Sequence, residues 1–259
     1  MSFRFRLFTA VVCVLALGMV HAETPRVMPP LPKPQPRFVF PTKQTLNYAV
    51  DWRVFPAGVA TFHVNAVGDI QRVSVEADTV GAVNLLFRVT DRFQSSFNRE
   101  TGCSQSFSKQ TVEGRRQVRS TLTFNYVTGR SLFTQKNLID GSTKRVVKPI
   151  PPCVTDSLSA IFYAASQPME VGKSFAFPLA DATRTVKVTM RVEGHDEITT
   201  PAGTFQTLRV EPTADAGVVK KRGNIWIWYT DDSRHIPVQM RARLFWGTIT
   251  FRLTSIEAK

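Results

Sequence analysis

The chain is predicted to be a mainly β protein, an antiparallel meander curled into a half-barrel or open barrel with one short helix packed on it. Three observations carry that expectation. Segments of alternating apolar and polar residues recur between Leu46 and Thr254, separated by turns rich in Gly, Pro, Asp and Ser. Only one stretch, following Asp156, spaces its apolar residues as a helix does. Residues 223–237, Gly-Asn-Ile-Trp-Ile-Trp-Tyr-Thr-Asp-Asp-Ser-Arg-His-Ile-Pro, put Trp226 and Trp228 on one strand face and Ile225, Ile227 and Tyr229 on the other. Such a strand is central and covered on both sides.

The N-terminus reads as an export signal over residues 1–22. Arg4 and Arg6 form its basic start, Leu7 to Val20 its apolar core, and Val20-His21-Ala22 offers small residues for cleavage after Ala22. The apolar run is shorter than the roughly 20 residues that span a bilayer. A periplasmic protein that is not integral to the membrane is therefore expected. Removal of 22 of the 259 residues leaves 237, and the loss of Arg4 and Arg6 lowers the formal charge from +13 to +11. In that compartment a basic protein meets lipopolysaccharide, phospholipid headgroups and anionic glycans, not nucleic acid. Residues 23–44 then form a proline-rich tether. Pro25, Pro29, Pro30, Pro32, Pro34, Pro36 and Pro41 are incompatible with a ladder or a helix interior, so the stretch is expected to be extended polyproline II. Residues 24–41 are also a candidate docking segment for another envelope protein.

A single β-rich domain is expected over residues 45–259. Leu46, Tyr48, Val50, Trp52 and Val54 alternate with polar residues as a strand with one wet face. Pro56-Ala57-Gly58 turns the chain into a partner with Ala60, Phe62, Val64 and Ala66 inward, and Gly68-Asp69 turns it again toward Val73, Val75 and Ala77. A short helical turn is expected within residues 79–85. The next strand sets Phe87, Val89, Phe93 and Phe97 on one face. Asp91 falls on that apolar face, where an unpaired charge is costly; it is expected to pair with an Arg or to lie at the sheet's edge. Strands follow at 104–112, 117–126 and 131–136, joined by 113–116 and 128–130, and a turn at Gly141 and the Lys148–Pro152 stretch close this half. Asp156 is a good helix N-cap, with Leu158, Ile161, Phe162 and Ala165 as one apolar stripe running to about Ser166. One helix beside many antiparallel strands is expected to plug or cover an opening of the curved sheet. Strand signals resume at Phe175 and Phe177 and at 186–192. Gly194 to Gly203 reads as a hairpin region that returns through Phe205 to Glu211. The tryptophan strand, a strand at 238–244 and a last one at 249–253 complete the meander.

Two cysteines remain after export, Cys103 and Cys153. An even pair in an oxidising compartment favours a disulfide over two buried thiols. Metal and cofactor motifs are absent from the sequence, and so are a nucleophile elbow and a phosphate loop. His63, His195 and His235 lie far apart. Asp231 and Asp232 with His235, and Glu193 with Asp196 and Glu197, are each better explained by turn chemistry than by metal or acid–base work. No catalytic residue is assigned.

Two features point to binding instead. One is the aromatic content, nineteen phenylalanines and four tryptophans. The other is an outward basic row. Trp226, Trp228, Phe62, Phe87 and Met190 are the candidate ligand lining, with Arg191, Arg241, Arg243 and Arg252 as a candidate basic rim. A non-catalytic carrier for an amphiphilic or anionic envelope molecule fits them. A structural or assembly factor for another envelope protein, and a hydrolase of envelope glycan or lipid, are the alternatives.

Tyr48…Trp52…Ala57-Gly58, Asp156-Ser157-Leu158-Ser159-Ala160, Gly194…Gly203-Thr204-Phe205 and Ile225-Trp226-Ile227-Trp228 leading into Asp231-Asp232…Arg234…Pro237 together resemble the exported bacterial family catalogued as domain of unknown function 3108. The resemblance covers about residues 45–256 and implies a β-rich envelope protein with no assigned activity. A looser similarity, to the half-barrels of periplasmic lipoprotein carriers, implies a curved sheet.

Overall fold

The computed structural model describes residues 28–258, except 82, 83, 85–87, 114, 115, 215, 217–219, 221, 222 and 246. The expected signal peptide, the first residues of the proline-rich stretch and Phe87 lie outside the described residues. The strands are β1 (Lys43–Trp52), β2 (Phe55–Val67), β3 (Ile70–Thr79), β4 (Val89–Asn98), β5 (Ser104–Glu113), β6 (Arg116–Asn125), β7 (Arg130–Asn137) and β8 (Thr143–Pro149), then β9 (Thr155–Asp156), β10 (Ser174–Asp181), β11 (Arg184–Thr200), β12 (Gly203–Ala214), β13 (Asn224–Thr230), β14 (Pro237–Leu244) and β15 (Gly247–Ala258). One helix, α1 (Ser159–Ala165), lies between β9 and β10.

All fifteen strands belong to one sheet, ordered β8-β7-β6-β5-β4-β3-β2-β1-β15-β14-β13-β12-β11-β10-β9. The pairings are antiparallel hairpin contacts except β1 with β15, which joins the two halves, and β9 with β10, which is parallel. No ladder connects β8 to β9, so the sheet is not closed into a barrel. Instead its ends meet at a short seam. The Ser104 N–H, at the start of β5, donates to the Val154 carbonyl at 2.8 Å. The Asp156 N–H donates to Ser104 Oγ at 2.9 Å, and that hydroxyl donates to Asp156 Oδ2 at 2.6 Å. One residue back on each side, Cys103 and Cys153 are bonded, with Cα atoms 5.2 Å apart, as the cysteine pairing led us to expect. Beyond the seam β6 and β7 run on as a wing, and Leu122 and Phe133 on the wing pack with Val154 and Ala180 of the opposite end. The sheet is thus a scroll whose one end overlaps the other. Its outer edge strand β8, exposed along most of its length, carries Lys144, Arg145, Lys148 and Pro149, residues that discourage pairing with another chain's edge.

Inside the curl, α1 packs against the apolar faces of the strands. Phe162, Tyr163, Leu46, Val64, Val188, Tyr229 and Leu253 belong to one buried cluster. Asp156 stands just outside the helix but caps it: Oδ1 accepts the N–H groups of Leu158 and Ser159 at 2.9 and 3.0 Å. Its Oδ2 accepts the hydroxyls of Ser95 and Ser104, both at 2.6 Å. A carboxylate with no exposed surface therefore has four hydrogen-bond donors, which offsets the cost of removing it from water.

Four expectations need correction. The helix carries no simple stripe: six of its seven residues are buried, because a second layer covers its outer side. That layer is the described part of the proline-rich stretch, which is a strap and not a free tether. Leu31 and Phe40 are buried, the Gln35 N–H donates to the Ser166 carbonyl, and Tyr163 and Gln167 donate to the carbonyls of Pro32 and Lys33. Gly102 permits this layering, since its φ is +75° and a Cβ there would lie 2.7 Å from the Tyr163 ring. Strand β8 was not anticipated, since its exposed, basic residues show no apolar alternation. And β11 runs through Gly194 as one strand of 17 residues, the glycine sitting at a bulge instead of a turn.

Two outcomes follow from the seam. The bridge closes a loop across 50 residues, so replacing Cys103 and Cys153 with serine should lower stability by roughly 4 kcal/mol, read from urea melts of the oxidised protein and the variant. Asp156→Ala, which strands two serines and two helix N–H groups, should cost about 3 kcal/mol or more in the same measurement.

Candidate functional site

Aromatic side chains divide the interior. From the helix outward, the ring of Phe162 lies 6.4 Å from Phe62, Phe62 lies 5.1 Å from Tyr48, and Tyr48 lies 6.5 Å from Phe251. On the far side of Phe251 the packing stops. A cavity of about 470 Å3 opens there, walled by Val50 and Trp52 of β1, Ala57 of β2, Ala77 of β3, Phe93 of β4, and Ile249 and Phe251 of β15. Its volume is within the range of small-molecule sites. The walls are apolar for the reason the sequence pattern gives: these residues occupy alternate positions whose side chains point into the curl.

One side differs. Asp91 of β4 and Lys109 and Glu113 of β5 also line the cavity. Lys109 Nζ lies 3.1 Å from Asp91 Oδ2 and 3.9 Å from Glu113 Oε1, and it sits over the Phe93 ring at 4.9 Å. Asp91 therefore meets its expected need for a cation with a lysine from the neighbouring strand and not with an arginine. Its side chain is only 9% exposed. The other carboxylate oxygen, Oδ1, is buried and has no hydrogen-bond partner among the described residues.

The expected lining residues fall elsewhere. Phe62 and Met190 do face the curl but are 5% and 3% exposed, in its filled part. Trp226 and Trp228 lie on the outer face: their cross-strand partners are Arg241, Arg209 and Gln239, whereas Ile227 pairs with the core residues Val210 and Met240. Trp228 is nevertheless 5% exposed, because the long β11–β12 hairpin arches over it. The indole N–H donates to Asp196 Oδ2 at 2.7 Å, and the hairpin tip is tied to β15 by the Ala202 N–H donating to the Leu253 carbonyl. The tryptophan strand is thus covered on both faces, by the core on one and by a folded-back hairpin on the other.

The expected basic rim is on that same outer face. Arg191, Arg241 and Arg243 are exposed, and Arg241 stacks on Trp228 at 5.5 Å. Arg252 is paired with Asp51 at 2.7 Å. Arg209, not singled out by the sequence, bridges Glu193 and Asp196 at 2.9 and 2.8 Å. Hydrogen bonding to Glu193, with the charges of Glu193 and Asp196, raises its affinity for its proton against an opposing loss from burial. Asp231, Asp232 and His235 do not converge: Asp231 meets His195, Asp232 holds Arg234, and His235 Nδ1 donates to the Ala165 carbonyl. Among the described residues no group of three or more His, Cys, Asp or Glu side chains is placed to hold a metal ion.

What the sequence did contain was a charge out of register with its surroundings. Asp91 between Val89 and Phe93, with Lys109 two residues after Phe107, marks the place where two inward faces turn polar. That signal was legible, but the pairing of β4 with β5 that joins them was needed to read it.

The fold and cavity define a class, open β scrolls that bury one helix in the curl and keep an apolar cavity apart from it. Within it, the chain belongs to the family described as protein of unknown function DUF3108, whose profile matches residues 47–254. Among solved structures it is similar to a β-barrel-like protein of domain of unknown function DUF1849 from Brucella abortus. That likeness has 10% identity and a TM-score of 0.57, and covers 85% of this chain and 99% of the other. A candidate exported protein with a YmcC-like fold from Bacteroides fragilis matches at 8% identity and a TM-score of 0.39, over 85% and 99% of the two chains. A candidate lipoprotein from Parabacteroides distasonis matches at 12% identity and a TM-score of 0.35, over 85% and 98%. No curated protein matches the sequence. No helix among the described residues is long and apolar enough to cross a membrane.

The division of the interior has a mutational signature. Ala77 and Ala60 face each other across β3 and β2, but only Ala77 borders the cavity. Ala77→Leu should leave the thermal midpoint nearly unchanged. Ala60→Leu, in filled core, should destabilise the protein by about 1–3 kcal/mol in the same melts.

Proposed function

We propose that this protein is a non-catalytic binding or carrier protein of the bacterial envelope, which holds the apolar part of an amphiphile in the cavity between β1, β4 and β15. The observation that carries the reading is the contrast within one core. The half around α1 is packed with aromatic rings, while the half beyond Phe251 is apolar and open. Unfilled apolar surface forfeits packing attraction, so a chain that builds it gains most when a guest occupies it. Placement in the envelope rests on the leader-like pattern of Arg4, Arg6 and Leu7 to Val20. The disulfide supports it, because such bonds persist in oxidising compartments. The exposed arginines on the outer face supply a surface attracted to anionic membranes, by which a carrier would approach its donor.

The test uses N-phenyl-1-naphthylamine, whose fluorescence rises in apolar surroundings. The folded, disulfide-bonded protein should bind it saturably at one site. Ala77→Trp, which fills the cavity, should weaken that binding by about tenfold or more with little change in the melt. Wild-type protein that gives no saturable signal would overturn the reading.

A further inference from the structure

The polar wall of the cavity specifies what kind of amphiphile fits. We infer that the ligand's polar end carries a hydrogen-bond donor, an amine foremost and a hydroxyl next, and not an anionic headgroup; this rests on the cavity being a binding site.

The chain as a whole is strongly basic, which on its own favours anionic ligands. The cavity reverses that balance. The charged residues lining it are four carboxylates, Asp51, Asp78, Asp91 and Glu113, against one ammonium, Lys109; Asp51 and Asp78 are held by Arg252 and Arg92, which leaves Asp91 and Glu113 to share Lys109. Lys109 already spends its reach on Asp91 Oδ2, on Glu113 and on the Phe93 ring. Asp91 Oδ1 is left buried without a donor among the described residues. A buried acceptor left unmade costs about 1–3 kcal/mol, and more for a charged group; the oxygen itself has almost no open surface, so a guest's donor meets it as the carboxylate turns toward the cavity, and the site then gains up to that much. An amine supplies the donor and also cancels the excess negative charge. A hydroxyl supplies the donor alone. A carboxylate or phosphate supplies neither, and sets like charge against Asp91 at low local dielectric.

The other basic groups nearby do not alter the sum. Arg92 is taken up by Glu76 and Asp78, Arg252 is held by Asp51, and Arg53 stacks on the Trp52 ring. Arg116, which touches Glu113 at 3.4 Å, is 60% exposed and well screened.

Displacement of N-phenyl-1-naphthylamine by dodecylamine, dodecanol and dodecanoate tests this, since the three share one chain length. Dodecylamine should displace the probe at a concentration about tenfold or more below that of dodecanoate, with dodecanol between them. Asp91→Asn, which keeps the shape and removes the charge, should erase or invert that order. Glu113→Gln, at a more exposed position, should narrow it by a few fold and serves if Asp91→Asn fails to fold. Equal displacement by all three, or preference for dodecanoate in the wild type, would overturn the inference while leaving the cavity a binding site. Probe binding that none of the three reverses would overturn it too. Absence of probe binding altogether would instead remove the reading on which it stands.

Discussion

Everything in this fold hangs on the few hydrogen bonds that Asp156 gathers between the two ends of the sheet. An antiparallel meander has two edges, and a ladder that never closes leaves both unpaired. Here the meeting is only a two-residue strand long: Thr155 and Asp156 pair with β10, and Asp156 then turns into the helix it caps. The same carboxylate thus joins the ends of the sheet, starts the helix, and seats that helix inside the curl through Ser95, whose hydroxyl also accepts from Ser159. The neighbouring disulfide holds the two approaching chains at that point. Because the contact ends so soon, β5 leaves the seam after Ser104 while its inward positions continue. Those positions include Lys109 and Glu113, which form part of the polar wall of the cavity.

The rest of the interior is held by tyrosines rather than by further ladder. Each of the four donates its hydroxyl to a main-chain carbonyl distant in sequence: Tyr48 to Pro237, Tyr126 to Ser104 and Val154, Tyr163 to Pro32 and Tyr229 to Ile161. These carbonyls belong to the first residue of β14, the seam, the proline strap and the helix. Burial pushes all four phenols well above their ordinary range, with Tyr229 adding to the effect at Tyr48. They remain donors at any physiological pH. A phenylalanine would fill the same space but leave a buried carbonyl unpaired, which is why rigid placement of helix and strap needs the hydroxyl.

Much of this architecture was legible in the residues. Alternation and turn residues located most of β1 through β7, β10, β12, β14 and β15 and the first half of β11, because those strands have one buried face, while β13 was marked by being apolar on both. The cysteine pair and Asp156 as a cap were legible for the same local reasons. Alternation says nothing about which face is inside, and so Trp226 and Trp228 read as lining. Their strand is apolar on both faces, and the deciding fact is the β11–β12 hairpin that folds over them, a contact set by the reach from Ala202 to Leu253. Strand β8 has no buried face and left no pattern. The prolines of the strap correctly excluded ladder and helix, yet composition cannot tell a free extended segment from one laid along a helix by Leu31, Phe40 and Tyr163. The site itself was visible only as the misplaced charge of Asp91.

Two opposite electrostatic surfaces result, a basic exterior and a cavity whose wall is short of donors. A carrier of amphiphiles has use for both, one to approach a membrane and one to choose its guest. Native mass spectrometry of the protein purified without detergent from the envelope of a bacterial host addresses this most directly. The account predicts a single bound species of lipid-like mass, lost on solvent extraction and absent from a variant whose cavity is filled. Protein that is recovered at its bare mass, and that takes up no amphiphile when one is supplied, would contradict it.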